Sequence, residues 1–509
     1  MSLTVLGRDG PLKREIAALA PSEGPEGVVV CLEPELVDSA LAAPGLRRLV
    51  LRSTAYAYGS SIKNPGLMTE ERISLLPPNA PEQRWLRAEE KALAFSNAAV
   101  LRLSNLLAPE EGDVIVREIA RASGKALAGH DPNVQFVALR DAARAFVSAS
   151  NSDATGIFNI TGSGVIPLKK VFRAAGVRRV PTFGGVELQA MQHNWTVSGA
   201  RAARELGFLP EKSSLAALDE FVRTRPGARV GLLRKPYDNY GLDVDYIRAW
   251  GAWFWFLRSV YWRIDSEGIE NIPENGPGLY VSNHRGFMPL DAVMHLSLVL
   301  TQRQRIIRFL IIPSLLKFPF LCNFLTKLGG VIACQENAAS LFTDGNLVGI
   351  FPEGIRGAFT PYRQWFQLRD FSKSAFARIA IENQVPIVPA AVVGHAEIFP
   401  ILARIDSSYV TREFGWPYLP IAPLFPLAPI PIPTKWHMRV LPPVPLAGLK
   451  PADAENARLV RDFSRHVQNI MQTNIDDMRR KRKSIFWGKV LDGSAPLRPV
   501  FERPSPDSA

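Results

Sequence analysis

The stretch VSNHRGFMPLD, residues 281–291, sets an imidazole at His284 seven residues ahead of a carboxylate at Asp291. Imidazole titrates close to neutrality, so a positioned histidine can take the proton of an attacking hydroxyl. A carboxylate on its other ring nitrogen would fix the tautomer and stabilise the imidazolium that forms. Spacing decides whether the two can meet. On a straight helix seven residues rise roughly 10.5 Å, too far for contact. Gly286 disfavours a straight helix, however, and Pro289 suits a helix's first turn better than its interior. The reading is a loop carrying His284, then a helix PLDAVMHLSLVL that starts at Pro289 and holds Asp291 in its first turn. His295, four residues past Asp291 on the same helical face, is the competing partner; it reads as a surface or core histidine.

Further along, FPEGIRG (351–357) offers Arg356 between Gly354 and Gly357. A guanidinium and nearby backbone amides suit a phosphate. Glu353 would repel a phosphate directly, so it is expected to orient Arg356 or to hydrogen-bond a hydroxyl of the substrate.

Two sets of elements must position these groups. Up to about residue 225, buried strand patterns (EGVVVCLEP, LRRLVLRSTAYAYG, GIFNITG) alternate with helical ones (RAEEKALAFSN, LRDAARAFVSAS), which implies a parallel sheet. A second alternating stretch contains the strands GLYVSNH, LVGIFPEG and VPIVPAAVVG. Between the two sets, residues 223–246 are rich in Gly, Pro and Arg without periodicity and read as a linker. A chain of 509 residues exceeds what one core usually serves, so two domains are expected.

Composition narrows the partners. Hydrophobic residues make up 47% and charged ones 21%, which excludes disorder for the bulk of the chain. A formal charge of +12 favours an anionic partner. No nucleic-acid recognition motif accompanies it, which leaves a phospholipid surface or a phosphorylated substrate. The three cysteines, Cys31, Cys322 and Cys334, suggest neither a disulfide framework nor a metal site. The charged N-terminus does not read as a signal peptide, and no apolar run reads as a spanning helix. Residues 415–436 carry seven prolines between 417 and 433, so that apolar segment reads as an extended loop. Two places suit a membrane surface: the Trp-rich helix RAWGAWFWFLRSVYWRI and the basic-aromatic run MRRKRKSIFWG at 478–488. The hydrophobic stretch 309–325 is the one most able to embed further.

In order along the chain, SNHRGFMPLD, LGGVIACQENAASLFTDGNLVGIFPEGIRG and VPIVPAAVVG resemble the successive motifs of the glycerolipid acyltransferase family. That resemblance covers most of residues 270–490. It implies His284 and Asp291 as the catalytic pair and Asn283, Glu353, Gly354, Arg356 and Pro389 as substrate-binding residues. It also implies acyl-CoA or acyl carrier protein as donor, a lysophospholipid as acceptor, and no bound cofactor or metal. Two departures from the family stand out. The usual His-x4-Asp is lengthened by two residues, and Cys334 lies near where many relatives carry a basic residue. Arg363, Arg369 or Lys373 could compensate, or the acceptor could carry a larger headgroup.

Residues 45–180 resemble an extended, epimerase-like short-chain dehydrogenase, through VLRSTAYAYG, LRLSNLLAP, FVALRDAARAFV and FNITGSGVIPLKKVFRAAG. The family's glycine-rich phosphate turn is reduced to Gly7 and Gly10 in TVLGRDGPLKREI. Its Tyr-x3-Lys pair is replaced by Trp85 and Glu89. The expected architecture is α/β throughout. A degenerate Rossmann-like domain (1–222) and a linker (223–246) precede an acyltransferase domain (247–491) and a flexible tail (492–509). The expected protein is a peripheral or monotopic acyltransferase on the cytoplasmic face of a membrane. The rival readings are a nicotinamide-dependent epimerase or reductase and a non-catalytic lipid-binding scaffold.

Overall fold

The computed structural model describes residues 3–20, 26–111, 113–121, 123–182, 186–223, 225–233, 237–371, 375–423, 430–446, 448–491 and 493. The chain forms two units, Met1–Asp243 with Leu316–Lys327, and Val244–Leu315 with Leu328–Ala509.

In the first unit, strands β1 (Thr4–Leu6), β2 (Val28–Cys31), β3 (Arg48–Thr54), β4 (Ala98–Leu103) and β5 (Gly156–Ile160) form one sheet in chain order, parallel throughout. Alternate strand residues serve opposite faces. Val30, Val50 and Leu101 pack with Leu12 and Ile16 of helix α1 (Pro11–Leu19). Val29, Cys31, Leu49 and Val100 pack with Ala88 and Ala92 of α2 (Gln83–Leu93). Continuous apolar strands are what such two-sided burial demands.

The degenerate features of this unit take a concrete form. Glu111 Oε1 accepts from Leu12 N at 3.4 Å, so a carboxylate faces the start of α1. Its other oxygen pairs with Arg52. Glu89 is buried; it accepts from Ser53 Oγ at 2.5 Å and pairs with Arg102 at 2.6 Å. A cavity of about 610 Å³ opens at the strand ends, lined by Arg52, Tyr56, Trp85, Glu111 and Trp195 among others.

The domain boundaries differ from the expected ones. Residues 237–243 are not a linker: Tyr237 lies in the core of the first unit, and Tyr240 O accepts from Asn133 Nδ2 at 3.0 Å. Single tyrosines and backbone bonds hold this segment, so it has no periodicity to read. Leu316–Lys327, expected within the second domain, belongs with the first unit. There Lys327 pairs at 2.8 Å with Asp131, whose buried carboxylate needs a cation. Residues 492 and 494–509, expected as a tail, lie outside the described residues.

In the second unit seven strands form one sheet: β6 (Asp265–Glu267), β7 (Gly278–Ser282), β8 (Ile307–Ile311), β9 (Val331–Ile332), β10 (Leu347–Ile350), β11 (Ile387–Val393) and β12 (His437–Val440). Their order is β6-β12-β11-β7-β10-β8-β9, with only the β11–β12 pair antiparallel. The Trp-rich segment forms α3 (Val244–Phe256), which continues into one π-helical turn at Leu257–Tyr261. The hydrophobic stretch 309–325 divides into the end of β8, a short turn and a helix at Pro319–Lys327. Among the described residues no helix is long and apolar enough to cross a membrane. Part of the proline-rich segment is a strand, Leu419–Ile421, paired antiparallel with Ala403–Ile405. Residues 424–429 of it lie outside the described residues.

Candidate active site

Neighbouring strands bring the two central motifs together. Val281 of β7 sits opposite Ile350 of β10, so both chains leave the sheet side by side. Asn283 and His284 follow the first, and Phe351 and Glu353 follow the second. The His284 ring stacks on Phe351, centroids 4.5 Å apart.

After His284 the chain turns at Gly286, whose φ of +69° is a left-handed conformation that side chains resist. Helix α4 (Leu290–Arg303) then begins, with Pro289 as its N-cap and Asp291 in its first turn. The loop folds back, and His284 Nδ1 lies 2.6 Å from Asp291 Oδ2. The same oxygen accepts from Arg285 N at 3.3 Å, and Oδ1 accepts from Ala292 N at 2.8 Å. Asp291 is fully buried, whereas His284 keeps 16% of its side chain exposed. With Nδ1–H assigned as donor to this carboxylate, Nε2 carries the lone pair of a general base.

His295 is not the partner of Asp291. Tyr280 Oη lies 2.8 Å from its Nδ1 and Ser282 Oγ 3.1 Å from its Nε2. Burial pushes its pKa down to about 4, so it is a neutral core histidine.

The residues expected to bind substrate divide. Arg356 is exposed on the short helix α5 (Gly354–Ala358), which opens at Gly354 with φ +54°. Glu353 does not orient it. Both Glu353 oxygens are committed within the protein: Oε2 accepts from Arg285 Nη1 at 2.7 Å and from His284 N at 3.2 Å, and Oε1 accepts from Arg369 N at 2.7 Å. Asn283 is also turned inward. It exchanges bonds of 2.9 and 3.0 Å with the Val392 backbone and approaches His395 Nε2 at 3.3 Å. Pro389 is buried in β11 opposite Val281. In this arrangement Glu353, Asn283 and Pro389 are buried, and the hydrogen bonds of Glu353 and Asn283 run to the protein itself.

Arg285 escaped the sequence reading. It is buried against Glu353, and its remaining donors reach His284 O at 2.7 Å, Trp365 O at 3.0 Å and Gln367 O at 2.7 Å. The available signal was an arginine directly after the histidine, next to a buried strand, since a buried guanidinium needs a carboxylate. Of the compensating cations, Arg363 is exposed beside Tyr362, Arg369 is partly buried, and Lys373 lies outside the described residues. Cys334 caps the helix Gln335–Thr343 without a side-chain bond to it. Among the described residues no three His, Cys, Asp or Glu side chains gather as metal ligands.

Comparison with known proteins gives the following likenesses. The acyltransferase family profile matches residues 263–393. An uncharacterised protein of Mycobacterium leprae is 32% identical over 260 residues, which is 49% of this chain and 70% of that protein. A Bos taurus protein described as a DGAT1/2-independent enzyme synthesizing storage lipids is 26% identical over 252 residues, 47% of this chain and 72% of its own. Among solved structures, the 1-acyl-sn-glycerophosphate acyltransferase of Thermotoga maritima aligns at TM-score 0.31 and 20% identity, covering 46% of this chain and 78% of that one. RMD from Pseudomonas aeruginosa, complexed with NADPH, aligns at TM-score 0.35 and 19% identity, covering 44% of this chain and 99% of that one. The chain belongs to the acyltransferase family, and the matched residues 263–393 contain His284, Asp291, Glu353 and Arg356.

Proposed function

We propose that the second unit transfers a fatty acyl group from acyl-CoA or acyl carrier protein to the hydroxyl of a lysophospholipid, at the surface of an anionic membrane. His284 Nε2 takes the hydroxyl proton as the acceptor oxygen attacks the thioester carbonyl. The tetrahedral adduct collapses, the C–S bond breaks, and the imidazolium returns the proton to the departing thiolate. Asp291 holds the ring and stabilises its cationic state. Arg356 is the exposed guanidinium nearest in sequence to this base's support, and it pairs with the acceptor's phosphate. The single observation that carries the reading is the 2.6 Å His284–Asp291 contact on a loop that leaves the ring partly exposed.

The test offers radiolabelled acyl-CoA and acyl carrier protein to a panel of detergent-dispersed lysolipids. Transfer to at least one acceptor is expected. His284→Ala should lower turnover by roughly 10²-fold or more, the usual loss when a general base is removed. Asp291→Asn should impair it through the tautomer. Near-normal turnover in both variants would sink the assignment.

A further inference from the structure

Three segments far apart in sequence meet on one surface of the second unit, and a single arginine joins them. Arg263, just past the Trp-rich helix, adopts a left-handed backbone with φ +45°, unfavourable for any residue but glycine. Its guanidinium donates to Tyr261 O at 2.9 Å, to Pro433 O at 2.9 Å and to Phe486 O at 3.0 Å, and it lies 4.9 Å from the Trp487 ring centroid. Neighbouring bonds repeat the connection: Tyr261 Oη donates to Pro431 O at 2.6 Å, and Lys435 N to Ile485 O at 2.8 Å. The end of the helix, the end of the proline-rich segment and the basic-aromatic run therefore form one patch.

That patch is apolar and open. Trp487 is 68% exposed, Ile430 56%, Trp253 50% and Val260 47%, with Ile485 and Phe486 beside them. Trp253 joins through Phe256, which stacks on it at 5.4 Å and approaches Tyr261 at 6.1 Å. Exposed cations stand on either side of Ile485–Trp487 in the chain: Arg479, which lies 5.1 Å from the Phe366 ring centroid, Arg480, Lys483 and Lys489. The nearby acids are engaged: Asp477 with Arg439, Lys481 and, at 3.8 Å, Arg480, Asp265 with Lys435, and Glu397 with Arg482. Indoles beside a cationic rim match the headgroup zone of an anionic bilayer in both polarity and charge.

We propose that this patch is the surface by which the protein docks on anionic membranes, and that Arg263 acts as its clasp. The proposal rests on the lipid-acceptor reading and says where the lipid surface is met. It also separates two roles within the basic run. Arg482, buried against Glu397, holds the fold, while Arg479, Arg480 and Lys483 face the lipid.

The test is sedimentation of the full chain with phosphatidylcholine vesicles, with and without phosphatidylglycerol. Wild type should bind the anionic vesicles, only partly released by salt. The exposed pair Phe486→Ser with Trp487→Ser should lower partitioning roughly tenfold or more. Arg263→Ala should do the same, and combining all three substitutions should add little, because the clasp and the aromatics act as one unit. Arg479→Gln, Arg480→Gln and Lys483→Gln together should weaken binding to anionic vesicles more than to neutral ones. Transfer to a detergent-dispersed acceptor should be unchanged in the serine variant, and this also checks its fold. Wild-type-like sedimentation of the serine variant would overturn the docking face. So would wild type that transfers acyl groups in detergent yet fails to bind vesicles at low salt. Vesicle binding lost in the serine variant would uphold the face even if no lysolipid were acylated, in which case the functional reading alone would fall.

Discussion

At the scale of residues, the site separates side chains that reach solvent from buried ones that hold them in place. His284 is partly exposed and Arg356 exposed, whereas Arg285, Glu353 and Asn283 are buried. This division gives opposite kinetic signatures. Glu353→Gln leaves Arg285 buried without its counter-ion, and breaking a buried pair costs about 3–5 kcal/mol. The same change loosens the His284 amide, so we expect a lower melting temperature and a lower kcat with little change in acceptor KM. Arg356→Ala should raise acceptor KM, with the melting temperature unaltered, because an exposed side chain contributes little to stability. Melting curves and steady-state kinetics on both variants decide it. A Glu353→Gln protein that melts like wild type and binds acceptor poorly would put Glu353 in contact with the substrate after all.

At the scale of elements, two parallel strand ends and one glycine turn assemble the centre. The two extra residues between His284 and Asp291 are absorbed by a loop that reverses at Gly286 before α4 begins. Gly286→Ala would force a side chain into a left-handed backbone, at about 1–2 kcal/mol. It would also set a Cβ 3.3 Å from Ile398. We expect a folded protein with kcat reduced far more than its melting temperature suggests, since a base displaced by about 1 Å can lose about 10²-fold in rate. Unchanged kcat would mean the loop tolerates the strain elsewhere. Much of this level was legible in the sequence. The apolar runs at 28–31, 278–282 and 387–393 could bury themselves only as strands, and Pro289 marked the start of α4. What stayed hidden was orientation and long-range pairing. Nothing in the string SNH says that Asn283 turns inward to Val392, and nothing near Glu353 says that its cation is Arg285 rather than Arg356. Residues 237–243 and 316–327 were misplaced for the same reason: isolated contacts such as Lys327 with Asp131 hold them, not a repeating apolar face.

At the scale of the whole molecule, one unit carries the His284–Asp291 contact, and the other carries a parallel sheet whose first helix begins against a carboxylate. A pyrophosphate is received by free amides and positive potential at a helix N-terminus. In the first unit that end of α1 faces the Glu111 carboxylate, and a Cβ on Gly10 would come within 2.9 Å of the same oxygen. A second negative charge there would be repelled, and displacing Glu111 would strip Arg52 of its buried partner. Glu89 is buried and paired with Arg102, and Trp85 lies at the cavity wall beside Arg52. The cavity at the strand ends is thus large enough for a ligand, yet at the start of α1 it presents the Glu111 carboxylate, with Arg52 already paired to it. We expect calorimetric titration of the full chain with NAD+, NADH, NADP+ and NADPH to show no saturable heat at micromolar levels. Acyl transfer should likewise be indifferent to all four. Clear saturable binding of any one of them would return the first unit to the nicotinamide-dependent enzymes and would require Glu111 to swing away from α1 when the cofactor arrives.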